Sequence, residues 1–206
     1  EVTNGTADIT FTDKTTQGSS DYTATSKTGV AFGEVFSAEA VDDMFKEDPE
    51  TFVVTMSNVS APSYENVVEG NTVVNTTITD ETTPSTEDTL TVKLVAWDAV
   101  NNVALTSSQI EEGQTASYKI IATKPDGTEV TNGTADITFT NGTTQGSSDY
   151  TAISKTVNFG ETITASAVDD MFKESPEKFV VTMSNVTASS YENVVTGNAV
   201  VETTIT

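Results

Sequence analysis

The sequence contains no cysteine and no histidine among its 206 residues. This excludes disulfide bonds, thiol nucleophiles, imidazole bases and the usual zinc ligands. Basic residues are scarce as well, with 9 Lys and Arg against 31 Asp and Glu and a formal net charge of -22. No nucleic-acid partner is expected, because a phosphate backbone would be repelled.

Long hydrophobic runs are also missing. None approaches the roughly 18 residues of a membrane-spanning helix, so no membrane insertion is expected. The hydrophobic fraction of 35% favours two modest cores over one large core. No signal peptide is recognised, and Glu1 is expected to lie inside a longer protein. An acidic, cysteine-free, threonine-rich chain is typical of the bacterial exterior, which predicts an extracellular, cell-surface location.

An internal repeat dominates the chain. Residues 1–79 align with residues 129–206, with one additional residue near Gly29 in the first copy, and 63 of the 78 aligned positions are identical. Copies this similar share most residues through recent descent. Their agreement therefore does not identify the residues that matter for function.

Residues 80–128 lie between the copies. The segment 80–88 (DETTPSTED) is polar, contains a proline and predicts a linker. Alternating apolar residues, each set on one face of a strand, predict β-structure through the rest of the chain. These sets are Leu90, Val92, Leu94 and Ala96; Ala116, Tyr118, Ile120 and Ala122; Ala135, Ile137 and Phe139; Ile163, Ala165 and Ala167; Phe179, Val181 and Met183; and Ala199, Val201 and Ile205.

Short strands separated by turn signals predict an all-β fold, with about seven strands in each complete β-sandwich. We predict a complete unit at 80–206. We interpret 1–79 as the later strands of another unit, a partial sandwich with an exposed edge. The alternative places the boundary at Thr128, with a circularly permuted unit.

In each copy, a loop rich in acidic residues directly precedes one predicted strand. The two loops span Asp42–Phe52 (DDMFKEDPETF) and Asp169–Phe179 (DDMFKESPEKF). Carboxylates packed this closely repel one another, so such a loop is either well solvated or binds a hard cation. The loops therefore suggest calcium, with a solvated acidic surface as the alternative.

Several motifs together resemble the Calx-β motif: the Glu112-Gly113 turn, Asp149-Tyr150 within SSDY, the Asp-Asp loop with a Glu four residues later, and Asp80-Glu81 after TTIT. The SYENVV…TTIT ending also resembles the repeats of giant RTX adhesins of the biofilm type. The resemblance covers 80–206 and, less completely, 1–79. It implies tandem Ig-like, Calx-β-like Greek-key sandwiches that form an extender arm and bind Ca²⁺ near domain junctions.

The resemblance also implies a set of calcium ligands in each unit. The first copy lacks the Glu-Gly turn, and the second ends before an acidic tail. Glu50 and Glu177 are expected to point into solvent. The implied ligands are Asp21, Asp42, Asp43, Glu47, Asp80 and Glu81 in the first unit, and Glu112, Asp149, Asp169, Asp170 and Glu174 in the second.

No enzyme is predicted. Two carboxylates alone can serve a glycosidase, but near-identical tandem copies favour a structural array over a single catalytic cleft. A sugar-stacking patch at Trp97, Asp98 and Asn101 is a further alternative to packing of Trp97 near a domain end.

The sequence thus predicts structural extender repeats of a secreted, calcium-dependent bacterial adhesin, with neighbouring repeats of the same chain as partners. The distal ligand of such an adhesin is unknown. The alternatives are a glycan-binding adhesin module and a regulatory calcium-sensing domain.

Overall fold

The computed structural model describes residues 3–206, and its regular elements there are β-strands apart from two single-turn 3-10 helices. No helix within this described range has the length and apolarity needed to cross a membrane. The chain divides into two compact units, Glu1–Thr83 (unit 1) and Pro84–Thr206 (unit 2). The division lies inside the polar segment 80–88.

Unit 1 forms one four-stranded antiparallel sheet and a separate two-stranded ribbon. Its described strands are β1 (Thr6–Asp13), β2 (Tyr22–Thr23), β3 (Lys27–Ala31), β4 (Glu39–Ala40), β5 (Glu50–Ser60) and β6 (Val73–Ile78). The sheet has the order β3-β1-β5-β6, and β2 pairs with β4 in the ribbon. β3 and β6 are therefore the edge strands of the described sheet.

Unit 2, which the structure describes completely, is a two-sheet β-sandwich. Its strands are β7 (Thr89–Asp98), β8 (Val103–Leu105), β9 (Ser108–Ile110), β10 (Thr115–Thr123), β11 (Glu129–Val130), β12 (Thr134–Asn141), β13 (Tyr150–Ala152), β14 (Lys155–Asn158), β15 (Thr162–Ala167), β16 (Glu177–Thr187), β17 (Asn193–Thr196) and β18 (Val200–Ile205). One sheet has the order β13-β15-β10-β7-β17, with β11 beside β10 and β8 beside β7. The other has the order β14-β12-β16-β18-β9.

Seven antiparallel strands form the body of unit 2, which agrees with the predicted all-β sandwich. They are β7, β10, β12, β14, β15, β16 and β18. Shorter strands extend the edges, and two of them pair in parallel, β17 with β7 and β9 with β18. The sequence pattern did not predict these parallel additions.

The core of unit 2 lies between its two sheets and follows the alternation of the sequence. Leu90, Val92 and Leu94 of β7 are fully buried, as are Tyr118 and Ile120 of β10. From the facing sheet, buried side chains come from β12, β16 and β18: Ala135, Ile137, Phe179, Val181, Met183, Thr203 and Ile205. The period of two therefore identified the inward face of most strands correctly.

The same strand order occurs in a separate sheet of each unit. In unit 1 the order β3-β1-β5-β6 corresponds to β14-β12-β16-β18 in unit 2, and the ribbon β2-β4 corresponds to β13-β15. Even the register shift near the start of β1 recurs in β12. The strands β7 to β10 have no counterpart in described unit 1, because residues 84–128 occur once in the sequence.

Candidate metal centre

The candidate site of unit 2 lies where three segments meet at one end of the sandwich. These are the loop after β12, the acidic loop between β15 and β16, and the first residue of β16. Thr143 and Thr144 hold this meeting point together, because the Thr143 Oγ1 accepts a hydrogen bond from the Lys178 amide (2.8 Å) and the Thr144 amide donates to the Lys178 carbonyl (3.2 Å). Glu177 directly precedes Lys178, so these two hydrogen bonds also fix the position of Glu177.

Asp149 is the buried member of the site. It ends the 3-10 turn Gly146–Ser148, where its amide donates to the Gly146 carbonyl (3.0 Å) and its carboxylate accepts from the Gln145 amide. Gly146 has φ +77°, which favours glycine at this turn. The Asp149 carbonyl accepts from the Val168 amide (2.9 Å), so the acidic loop starts beside it.

Glu50 and Glu177 do not point into solvent, so that prediction was wrong. The Oε2 atom of each is buried and has no hydrogen-bond donor. The reason is strand parity: each residue is the first of its strand and lies two positions before a buried phenylalanine, Phe52 or Phe179. Side chains at i and i+2 share a face, so both glutamates turn towards the core end of the sandwich.

Three carboxylates converge in each unit. In unit 2 they belong to Asp149, Glu174 and Glu177, and one oxygen from each lies within 4.8 Å of the other two. These residues line a cleft of about 130 Å³ together with Glu112, Ile205 and Thr206. The arrangement gathers negative charge in a small space, without a Lys or Arg side chain among the residues that line the described cleft.

Unit 1 repeats this arrangement with Asp21, Glu47 and Glu50, again within 4.8 Å of one another. Asp21 accepts from the Gln17 amide, as its counterpart does in unit 2. The Thr15 Oγ1 accepts from the Thr51 amide at 2.7 Å, which ties the loop after β1 to the start of β5. The triple therefore forms in unit 1 although strands equivalent to β7 and β10 are missing from its described part.

The carboxyl groups of each triple perturb one another. The pKa of Glu177 is raised to about 7, chiefly because the neighbouring Asp149 carboxylate shares a hydrogen bond only with a protonated Glu177, and also through desolvation and the charge of Glu174. The pKa of Glu50 is raised to about 7 for the same reason, with Asp21 as its main partner. The two groups thus carry protons at a pH where ordinary carboxyls are ionised.

The negative charges of four more predicted ligands raise the pKa of a glutamate in one of the triples. The pKa of Glu47 is raised by desolvation and then by the charges of Asp43, Asp21 and Asp80. Desolvation likewise raises the pKa of Glu174, followed by the charges of Asp170, Asp149 and Glu112. The predicted residues that flank each triple are therefore Asp43 and Asp80 in unit 1 and Asp170 and Glu112 in unit 2.

The remaining predicted residues, Asp42, Asp169 and Glu81, lie outside the two triples, but one carboxylate oxygen of Asp42 lies within 4.8 Å of one of Glu81. All three are exposed, Asp42 and Asp169 at the start of the acidic loops and Glu81 after β6. Asp169 lies under the Glu-Gly turn, where a Cβ on Gly113 would come 3.4 Å from its Cβ. Which carboxylates bind an ion stays a prediction.

The residues present fit a calcium ion. Calcium takes six to eight oxygen ligands, mainly from carboxylates and carbonyls, and each triple supplies carboxylates alone. The buried Oε2 atoms of Glu50 and Glu177 have no donor, and an unpartnered buried carboxylate oxygen is costly unless a cation or a proton compensates it. Asp21, Glu47 and Glu50 would hold an ion in unit 1, and Asp149, Glu174 and Glu177 in unit 2.

Trp97 does not form a sugar-stacking platform. Its side chain is only 8% exposed, and the Lys119 Nζ lies 4.3 Å from the centroid of its ring. Asp98 accepts hydrogen bonds from the amides of Val100 and Asn101 (2.9 Å each), so its carboxylate stabilises a turn. The structure therefore favours the packing interpretation of Trp97.

No protein-family model matches the chain, and no curated protein sequence matches it. Among solved structures it is similar to the apo form of the Calx CBD1 domain, with 12% identity over 56% of this chain and 95% of that one and a TM-score of 0.43. It is also similar to CBD12 of CALX1.2 (15% identity, 98% and 86% coverage, TM-score 0.35) and to the calcium binding domain CBD12 of CALX1.1 (14% identity, 97% and 86% coverage, TM-score 0.36).

Proposed function

We propose that this chain is a tandem array of calcium-binding β-sandwich modules. The observation that carries the proposal is the carboxylate triple found at the same place in both units, each with one buried oxygen that lacks a donor. The carboxylates of a triple repel one another and so destabilise the folded state. A bound calcium ion attracts all three of them and so stabilises it. Calcium therefore stabilises the ends of the two units.

The finer function we propose is that of an extender in a secreted bacterial surface adhesin. Near-identical tandem copies support a mechanical role over a single binding cleft, and the acidic, cysteine-free composition suits an extracellular location. Asp80, which starts the polar segment 80–88, accepts a hydrogen bond from the Glu47 amide (2.7 Å). Calcium bound beside Glu47 would thus also hold the start of this segment and stiffen the arm.

Calcium calorimetry on the metal-free chain tests the binding. We expect one ion or more in each unit. For a dissociation constant near ~10⁻⁴ M, 10 mM calcium is about 100-fold saturating, which stabilises the bound state by about 2.7 kcal/mol and raises the melting temperature by roughly 10 °C.

The test variant is Glu50→Gln with Glu177→Gln, which should lose most of the binding heat and the calcium-dependent rise in melting temperature. The matched control, Glu69→Gln with Glu129→Gln, makes the same Glu-to-Gln changes at exposed positions in both units and should keep both effects. Equal melting curves in calcium and in chelator, with no heat of binding, would contradict the proposal.

A second candidate is a regulatory calcium sensor. It is favoured by the meeting of separate segments at each triple, because an ion that joins the acidic loop to the start of the following strand changes the conformation of that loop when it binds or leaves. Small-angle scattering separates the candidates. An extender becomes longer on average in calcium than in chelator, whereas a sensor changes the conformation within a unit without lengthening the chain.

A further inference from the structure

Among the described residues, only the short ribbon β2-β4 and its flanking loops cover the inner face of the sheet in unit 1, whereas a full second sheet covers the same face in unit 2. Val74 is 54% exposed and Phe36 is 37% exposed, whereas Ile163, which aligns with Phe36, is 2% exposed. Met56 is half-buried, and its counterpart Met183 is buried. Unit 1 therefore presents an apolar face whose complete cover is visible in the same molecule.

Open strand edges border this face. In unit 2, β9 pairs in parallel with β18 through Thr203–Ile205, while the matching strand β6 ends the sheet in unit 1. In unit 2, β10 pairs with the six-residue strand β15, while the matching β4 is two residues long and pairs with β2 alone among the described strands. Both edges have unpaired backbone groups available for another strand.

Aromatic and polar contacts show which side chains the face accepts. Tyr118 of β10 makes an edge contact with Phe139 (ring centroids 6.0 Å apart), and its hydroxyl lies 2.5 Å from the Thr203 Oγ1. Phe11 and Thr76 are the counterparts in unit 1. Phe11 is contacted by Phe36 instead, at 6.3 Å in a similar edge geometry, so its surroundings already accept an aromatic ring.

A fourth feature is the segment 64–68 (YENVV), which is identical to 191–195. In unit 2 this sequence contributes β17, which pairs in parallel with β7. In unit 1 it has no strand structure, and Tyr64 is 47% exposed against 7% for Tyr191. The segment thus keeps the sequence that pairs with a β7-like strand but lacks that partner within the described unit.

We propose that unit 1 binds a segment with the strand sequence of residues 84–128, supplied from outside residues 1–206, and that this segment completes it as a second sandwich. The occupant is identified by the template in unit 2, where this sequence covers the same sheet. A second copy of the chain fits less well, because its own residues 84–128 already form the core of its unit 2. Strand addition and burial of the apolar face would drive the binding together.

Methionine methyl NMR on the full chain tests this interaction, because Met56 and Met183 are internal counterparts. The probe is an unlabelled peptide of residues 84–128, added to the chain labelled at its methionine methyl groups. We expect the Met56 signal to move towards the position of the Met183 signal, which itself stays in place. Backbone amides of β5 should exchange with solvent at least about tenfold more slowly.

A fusion of residues 84–128 ahead of residue 1 keeps the test decisive if the peptide aggregates. Thr128 directly precedes Glu129, the counterpart of Glu1, so the fusion reproduces the natural order of unit 2. The matched control carries Leu94→Glu and Ile120→Glu in the added copy only, which prevents burial of its two central strands. The control fusion should leave the Met56 signal where it is in the unfused chain.

Two outcomes would overturn the proposal. One is a Met56 signal that neither the peptide nor the intact fusion moves. The other is a self-associated chain, seen by sedimentation, whose Met56 signal shifts with chain concentration in the absence of any probe, because a second copy would then cover the face.

Discussion

The Tyr118 hydroxyl lies 2.5 Å from the Oγ1 of Thr203, and the Thr203 hydroxyl donates in turn to the Ser108 Oγ at 2.8 Å. Tyr118 belongs to one sheet of unit 2 and Thr203 to the other, so this buried contact joins the two layers. Burial raises the pKa of Tyr118 to about 12. The tyrosine therefore stays neutral and serves as a fixed hydrogen-bond partner within an apolar core.

Replacement of this threonine should destabilise unit 2. Thr203→Val leaves the Tyr118 hydroxyl with one partner fewer in a buried place, which costs about 1–3 kcal/mol. Thr76→Val is the matched control, because the described part of unit 1 has no counterpart of β10 to place a tyrosine opposite Thr76, and it should change stability by less than about 0.5 kcal/mol. Urea unfolding of both variants measures the difference, and equal losses would contradict the role of the contact.

Without calcium, stability should fall as the pH rises from about 4.5 to about 7. The pKa of Glu50 and of Glu177 is raised from 4.5 to about 7 in the folded chain, so the folded state binds more protons than the unfolded state in this window. Stability from the protonated pair is present below the unfolded pKa and is lost as the pH passes the folded pKa.

Thermal melts in chelator at several pH values between 4.5 and 8 check this trend. The variant Glu50→Gln with Glu177→Gln should flatten it, because both titrating groups are removed. In calcium the stabilisation by the ion should grow over the same window, since the ion requires ionised carboxylates. Stability that rises with pH in chelator would count against the buried carboxyl pairs.

Asn185 should matter for its backbone conformation as well as for its side chain. It has φ +48° at the register shift between β12 and β16, and its Nδ2 donates to the Asp136 Oδ2 at 2.8 Å. Asn185→Ala loses the hydrogen bond and is strained at positive φ, at a cost of about 1–2 kcal/mol. Asn185→Gly keeps the conformation and should cost less, and equal losses on urea unfolding would rule out backbone strain.

Gly133 should tolerate no side chain. An added Cβ would lie 2.2 Å from the Phe159 ring, and the residue has φ +156°. Gly133→Ala should therefore cost at least about 1–3 kcal/mol of stability. The control Gly127→Ala also has positive φ (+85°) but meets no atom within 4 Å. Calorimetric melting of both variants separates the clash from the backbone effect. Equal shifts in melting temperature would mean that the Phe159 ring moves aside and no clash remains.

Local pattern was sufficient for the long core strands of unit 2, but not for the short parallel strands β9 and β17. Alternation predicted the buried faces of β7 and β10, because a strand with one buried face repeats every two residues. The same two-residue periodicity places Glu50 on the face of Phe52, which lies two positions later, whereas its acidic loop favours a solvated position. Its burial could thus have been predicted from the sequence.

The sequence by itself determined the repeat, the all-β class, the inward faces of the strands and the two acidic loops, because each depends on residues that are close together in the chain. Only the tertiary structure decided that Asp149, Glu174 and Glu177 meet, since three separate segments bring them there. It also decided which of the identical sequences 64–68 and 191–195 contains a β-strand. The second contains a strand because β7 lies beside it, and the first does not because the described unit 1 has no such neighbour. A β-strand is completed by hydrogen bonds to a partner, so its formation depends on residues distant in the sequence.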